Sequence, residues 1–107
     1  MLDDFNITTT IENRHGTFII EGRLDATNAP KLEIETGNKI LDLDSVTFDL
    51  AKCNYVSSFG LRTLLSVQKH LGLQEKVNVI NVSEDVYMIF EVTGFTNFMN
   101  VKKKQLT

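Results

Sequence analysis

The residue types that most often carry catalysis are few in this chain of 107 residues and lie far apart in it. The two histidines are His15, in a predicted turn, and His70, near the end of a predicted helix, and neither stands beside a nucleophile in sequence. Cys53, the single cysteine, has no CxxC partner and no histidine at metal-ligand spacing. No P-loop or GxGxxG pattern is present. The sequence therefore predicts no enzyme, no metal site and no cofactor, and Cys53 is interpreted as a small buried hydrophobic residue.

Residues 56–61 (Val-Ser-Ser-Phe-Gly-Leu) suggest chemistry of another kind, because they precede the clearest predicted helix. Ser57 and Ser58 place two hydroxyls at a helix start, where a hydroxyl caps free backbone N–H groups. The same position is an anion site, since those N–H groups and the helix dipole stabilise a phosphate on one of the serines. Gly60 adds little steric cover, which we expect to help another protein reach the serine. A structural cap and a modification site are both open interpretations here.

Composition restricts the class of protein further. A length of 107 residues with 42% hydrophobic residues is enough for a single domain over residues 1–107. The 11 basic and 14 acidic residues give a net charge of −3, which argues against nucleic-acid binding. The apolar runs are too short for a membrane span, and the N-terminus lacks the basic start of a signal peptide. With a single cysteine, these features predict a soluble cytoplasmic protein.

Hydrophobic periodicity predicts the elements that must position the two serines. Period-2 alternation or a short apolar run indicates strands at residues 5–11, 17–21, 46–50, 77–82 and 98–101. Capping residues or helical spacing indicate helices at residues 31–35, 58–71 and 84–93. The order β-β-α-β-α-β-α-(β) predicts an α/β fold, in which helices pack on a mixed β-sheet of four to five strands.

The segments between these elements are predicted as follows. Residues 13–16 form a tight turn of an antiparallel hairpin, and residues 51–56 form a connector between strand and helix. The first helix is capped by Thr27 or Asn28. Residues 102–107 form a flexible solvated tail, whose three lysines are fewer than the about four to eight that signal anionic lipid binding.

Three blocks of the sequence resemble the STAS domain (sulfate transporter and anti-sigma factor antagonist), and specifically the stand-alone bacterial anti-sigma factor antagonists. The blocks are residues 22–30 (GRLDATNAP), similar to the family's G-x-L-D-x-x-x-A turn; residues 48–62, similar to its D-L-spacer-hydrophobic-D-S-S/T/A-G-L signature; and residues 79–95, similar to its closing strand and V-x-x-x-F-x-x-x-G-F helix. Together they extend over nearly the whole chain in the expected order. The resemblance implies a STAS-like fold without catalytic residues.

The resemblance also implies a site and partners. The family's phosphorylatable serine falls on Ser58, and its acidic neighbour falls on Asp25. The partner of the unphosphorylated form would be an anti-sigma factor that is also a GHKL-type serine kinase; phosphorylation would release it, and a PP2C-type phosphatase would reset the state. The partner-binding surface implied in this way consists of Asp25, Ser57, Ser58, Phe59, Gly60 and Arg62.

Two positions depart from the family pattern and keep alternatives open. Ser57 stands where many antagonists have Asp, and Phe59 stands where Ser, Thr or Ala is usual. The Phe59 ring either contacts a partner or packs into the core and narrows access to Ser58. The departures favour a second interpretation, a STAS subunit of a membrane transporter or another signalling complex that is not phosphorylated. A small hydrolase and a fragment of a larger signalling protein are further, weaker alternatives.

Overall fold

The computed structural model describes residues 4–72 and 74–105. Five strands and three α-helices follow one another in the predicted order. They are β1 (Asn6–Glu12), β2 (His15–Leu24), α1 (Ala29–Gly37), β3 (Ser45–Val56), α2 (Ser58–Leu71), β4 (Asn78–Val82), α3 (Glu84–Val92) and β5 (Asn100–Lys103). Short 3₁₀ turns at Ile40–Asp42 and Phe95–Asn97 follow α1 and α3.

The strands form one mixed sheet in the order β1-β2-β3-β4-β5. β1 pairs with β2 antiparallel, and the other three pairings are parallel. The predicted α/β class and the opening hairpin are thereby confirmed. Because β2 and β3 are parallel, their carboxyl ends lie at the same end of the sheet, and the helices that follow them begin there.

The core lies on one face of this sheet. Alternate strand residues such as Phe18 and Phe48 are fully buried, and the two rings stack with centroids 5.6 Å apart. The helices supply Leu32, Leu64 and Phe90 to the same hydrophobic cluster. Burial of each such side chain contributes about 1.5–3 kcal/mol, so this shared core fixes the helices relative to the strand ends.

The hairpin between β1 and β2 is tighter than predicted. Asn13 and Arg14 both have positive φ (53° and 63°), as a two-residue type I′ turn requires. The prediction that His15 lies in the turn is wrong, because His15 begins β2. Its two ring nitrogens are hydrogen-bonded to the hydroxyls of Ser45 and Thr47 on β3, so this histidine joins two strands.

Two further boundary predictions are wrong. Residues 51–56 are not a connector, because β3 continues to Val56 and its end pairs with the end of β2. The predicted tail begins too early, since Lys102 and Lys103 lie in β5. The Lys104 backbone N–H donates to the Val82 carbonyl at 2.8 Å, and only residues 106–107 of the tail lie outside the described residues.

A buried glutamine of α2 links the end of this helix to the residues before β4. Gln68 is buried, and its amide nitrogen donates to the carbonyls of Gly72 (3.0 Å) and Glu75 (2.9 Å). Its amide oxygen accepts from the Val77 N–H at 2.7 Å. Three hydrogen bonds offset the cost of burying the amide, which explains its place on the inner face of the helix.

Cys53 is a buried residue with a thiol of low reactivity. The thiol lies in β3 with 2% of the residue exposed, as predicted for a small hydrophobic residue. Desolvation raises the pKa of this thiol, which disfavours the reactive thiolate.

Within the described residues, no helix is long and apolar enough to cross a bilayer.

Candidate functional site

The candidate site lies at the carboxyl ends of the neighbouring strands β2 and β3. Leu24 and Val56 are register partners there, and the Ser57 N–H donates to the Leu24 carbonyl at 2.9 Å. Asp25 and Ser57 are the next residues along the two strands, so they emerge side by side. The extended β3 is what carries the serines to this position.

The two serines have different roles at the start of α2. Ser57 is the N-cap, with extended backbone (φ −90°, ψ 175°), and its hydroxyl oxygen accepts from the Gly60 N–H at 3.4 Å. Ser58 is the first helical residue and is exposed, and its hydroxyl has no hydrogen-bond partner within residues 4–72 and 74–105. The capping interpretation therefore applies to Ser57, and Ser58 is left available for chemistry.

Asp25 organises the turn into α1. One carboxylate oxygen accepts from the backbone N–H groups of Thr27 (3.1 Å) and Asn28 (3.0 Å), and the other lies 3.8 Å from the Nε of Arg23. Thr27 is not the cap, and Asn28 stands at the N-cap position without capping through its side chain. Its amide instead donates to the Arg23 carbonyl at 2.9 Å. The acidic group next to the serines is thus held in place by the backbone.

Two exposed aromatic rings lie close to Ser58 in sequence, and an arginine guanidinium lies against each of them. The Phe59 ring points outward, with 48% of the residue exposed, and the Arg62 guanidinium lies 5.5 Å from its centroid. The open question about Phe59 is answered: the ring is not buried in the core. The Arg23 guanidinium stacks on Tyr55 at 3.9 Å from the ring centroid, and Tyr55 is 36% exposed.

Sequence reasoning missed Tyr55 and Arg23. The two residues are cross-strand partners at the ends of β3 and β2, and this pairing is visible only once residues 51–56 are recognised as strand. The available signal was the inward position of Val56, which places its neighbour Tyr55 on the outside of a strand.

The structure corrects the prediction that Gly60 is part of the partner-binding surface. The residue is buried rather than open to a partner, since a Cβ at this position would lie 2.7 Å from the Leu24 Cγ and 2.9 Å from the Leu24 carbonyl oxygen. Its function is to allow the first turn of α2 to approach β2 closely. The contact between α2 and β2, not steric cover over Ser58, explains the glycine.

The assembled side chains favour recognition. The structure brings Asp25, Ser57, Ser58 and the Phe59–Arg62 pair to one end of the sheet. His15 is not part of this site, because its ring is hydrogen-bonded to β3. Within the described residues there is no group of three or more His, Cys, Asp or Glu side chains placed to hold a metal ion. An exposed hydroxyl at a helix start, with aromatic and arginine side chains near it in sequence, is suited to modification and protein contact.

The chain belongs to the STAS domain family. The family's sequence model matches residues 6–105, a range that contains every strand and helix described above. The resemblance drawn from the three sequence blocks is thereby confirmed.

The relatives of this chain include anti-sigma factor antagonists. The chain is 26% identical over 102 residues to a protein of Staphylococcus aureus (strain NCTC 8325 / PS 47) named anti-sigma-B factor antagonist, and the match covers 94% of each chain.

Solved structures share the fold. A crystal structure of an anti-sigma factor antagonist from Mycobacterium paratuberculosis superposes with a TM-score of 0.79 at 19% identity, covering 94% of this chain and 86% of that one. The antagonist SpoIIAA in its unphosphorylated form superposes with a TM-score of 0.71 at 12% identity, covering 95% of this chain and 89% of that one. The Bacillus SpoIIAA in its phosphorylated form superposes with a TM-score of 0.66 at 15% identity, covering 91% of this chain and 89% of that one. At these identities the likeness concerns the fold.

Proposed function

We propose that this STAS protein is an anti-sigma factor antagonist, a binding module that is switched by phosphorylation of Ser58. The name of the Staphylococcus aureus relative supports the antagonist role. The SpoIIAA structures support the switch, because that protein is known in an unphosphorylated and a phosphorylated form. The protein acts in the cytoplasm as a substrate and ligand of other proteins, without catalytic residues or cofactors of its own.

The observation that carries the proposal is the exposed Ser58 hydroxyl, which has no hydrogen-bond partner among the described residues. Its neighbour Ser57 performs the capping, so phosphate transfer to Ser58 breaks no hydrogen bond within residues 4–72 and 74–105. The start of a helix also stabilises negative charge by about 0.3–1 kcal/mol at an exposed position. A kinase therefore finds an accessible acceptor whose product the fold tolerates.

In the unphosphorylated state, the surface around this hydroxyl binds the anti-sigma factor. Phe59 and Arg62 are residue types enriched at the cores of protein interfaces. Tyr55 and Arg23 form a second pair, and tyrosine and arginine often dominate the binding energy of such interfaces. Binding sequesters the anti-sigma factor, which is a GHKL-type serine kinase in this proposal, and frees its sigma factor.

Phosphorylation ends this binding through charge. The phosphate adds about −1.5 to −2 charges at neutral pH, directly beside the surface that contacts the partner. It is repelled by the Asp25 carboxylate and by any acidic group of the partner. A differential binding energy of about 1–3 kcal/mol changes affinity about 5- to 150-fold, so no change of fold is required. A PP2C-type phosphatase restores the binding form.

Phosphate mapping tests the proposal. The wild type, Ser58→Ala and Ser57→Ala are incubated with ATP and the anti-sigma factor kinase of the same organism, and the products are analysed by mass spectrometry. We expect a single phosphate on Ser58 in the wild type, none in Ser58→Ala and retention of the Ser58 phosphate in Ser57→Ala. Phosphate at another residue, or none in the wild type, rejects Ser58 as the switch and favours the unphosphorylated STAS subunit instead.

A further inference from the structure

The two edges of the sheet differ in how they are protected. β5 is four residues long, contains Lys102 and Lys103, and has the Lys103 ammonium 3.4 Å from the Glu84 carboxylate. Short strands and lysines are common devices against edge-to-edge pairing. β1 has seven residues in unbroken register with β2, contains no proline, and carries its single charge, Glu12, at the end. Among the residues that the structure describes, the β1 edge therefore lacks the protection that β5 has.

The backbone groups on the free side of β1 follow from the hairpin. The two-residue turn makes Glu12 and His15 the pair that closes it, so Glu12 bonds to β2. Because antiparallel ladders alternate, every second residue from Glu12 also bonds to β2. The intervening residues, Ile7, Thr9 and Ile11, direct their N–H and C=O groups away from the sheet.

The β1 sequence, Asn-Ile-Thr-Thr-Thr-Ile-Glu, reads almost the same in both directions about Thr9. An antiparallel pairing of two β1 strands centred there places Thr9 opposite Thr9 and Ile7 opposite Ile11 of the second copy. All of these residues have outward backbone groups, so the register satisfies N–H and C=O groups on both strands. Ile11, which is 46% exposed, would be covered by Ile7 of the second copy.

We propose that the protein forms a symmetric homodimer through the β1 edge, in which the two five-stranded sheets join into one. The symmetry is that of an isologous interface, where the same patch serves both subunits. The lysines of β5 oppose the same pairing at the other edge, so the assembly closes at two copies. The β1 surface is a different one from the Ser58 surface, and this proposal does not depend on the proposed function.

Charge placement at Thr8 and Thr10 tests the register itself. Both side chains are exposed, and the proposed pairing puts Thr8 of one copy opposite Thr10 of the other. In Thr8→Lys/Thr10→Lys, like charges face each other twice, and we expect dimer affinity to fall by about tenfold or more. Thr8→Glu/Thr10→Glu is weakened in the same way, whereas an equal mixture of the two variants should form heterodimers at least as well as the wild type. The control Gln74→Lys/Gln105→Lys adds the same charge at exposed sites outside β1.

Sedimentation equilibrium and amide hydrogen exchange report the result. The wild type and the control should reach the mass of a dimer as concentration rises. The amides of Ile7, Thr9 and Ile11 should become protected together with it, whereas those of Thr8 and Thr10 are protected at every concentration. A wild type that remains monomeric at about 1 mM, or a lysine variant that dimerises as well as the wild type, overturns the proposal. Thermal melting confirms that the variants are folded.

Discussion

At the scale of single residues, the site separates two roles that neighbouring serines share in the sequence. Ser57 stabilises the start of α2 through its hydroxyl, and Ser58 presents its hydroxyl to solvent. The sequence predicted two hydroxyls at a helix start and identified Ser58 by resemblance. It did not distinguish the cap from the free hydroxyl, because assignments of helix ends from pattern are uncertain by one or two residues and only the backbone angles decide.

This separation predicts different effects of two matched substitutions. Ser57→Ala removes the cap and should lower the free energy of unfolding by about 1 kcal/mol. Ser58→Ala removes a hydroxyl that has no hydrogen-bond partner in the described part of the chain, and it should change the free energy of unfolding by less than about 0.5 kcal/mol. Urea denaturation of both variants measures the difference. Equal losses, or the larger loss in Ser58→Ala, would contradict the assignment of the cap.

At the scale of elements, the site depends on how closely α2 approaches β2. The glycine in the family signature was expected to uncover the serine, and the structure shows instead that it permits this contact with Leu24. Sequence patterns could predict both elements from their apolar spacing. They could not predict the contact, or the strand character of residues 51–56, because these depend on the pairing of β2 with β3.

Two glycine substitutions compare this contact with an open position. Gly60→Ala forces a Cβ against Leu24 and should destabilise the protein by about 1–3 kcal/mol. Gly37 is the last residue of α1, and no atom of the other described residues would lie within 4 Å of a Cβ there. Gly37→Ala should therefore stabilise the protein by about 0.4–1 kcal/mol. Thermal and urea unfolding give both values. A Gly60→Ala variant as stable as the wild type would refute the close packing.

At the scale of the whole molecule, the sheet serves as a rigid frame. The element order and the mixed sheet could be predicted from hydrophobic periodicity, because each strand and helix buries one face in the common core. The outward direction of Phe59 and the pairing of Tyr55 with Arg23 required the three-dimensional structure. Because the proposed phosphorylation site lies at the surface of this frame, altered charge there would control binding while the core stays unchanged.

The affinity of the anti-sigma factor for the two forms of the protein tests this account most directly. Isothermal titration compares the unmodified protein, the protein phosphorylated at Ser58, and the variants Ser58→Asp and Ser66→Asp, the last adding the same charge at an exposed position further along α2. We predict that phosphorylation weakens binding about 5- to 150-fold with little change in melting temperature, that Ser58→Asp weakens it in the same direction, and that Ser66→Asp binds like the wild type. Equal affinity of the phosphorylated and unphosphorylated proteins would contradict the account.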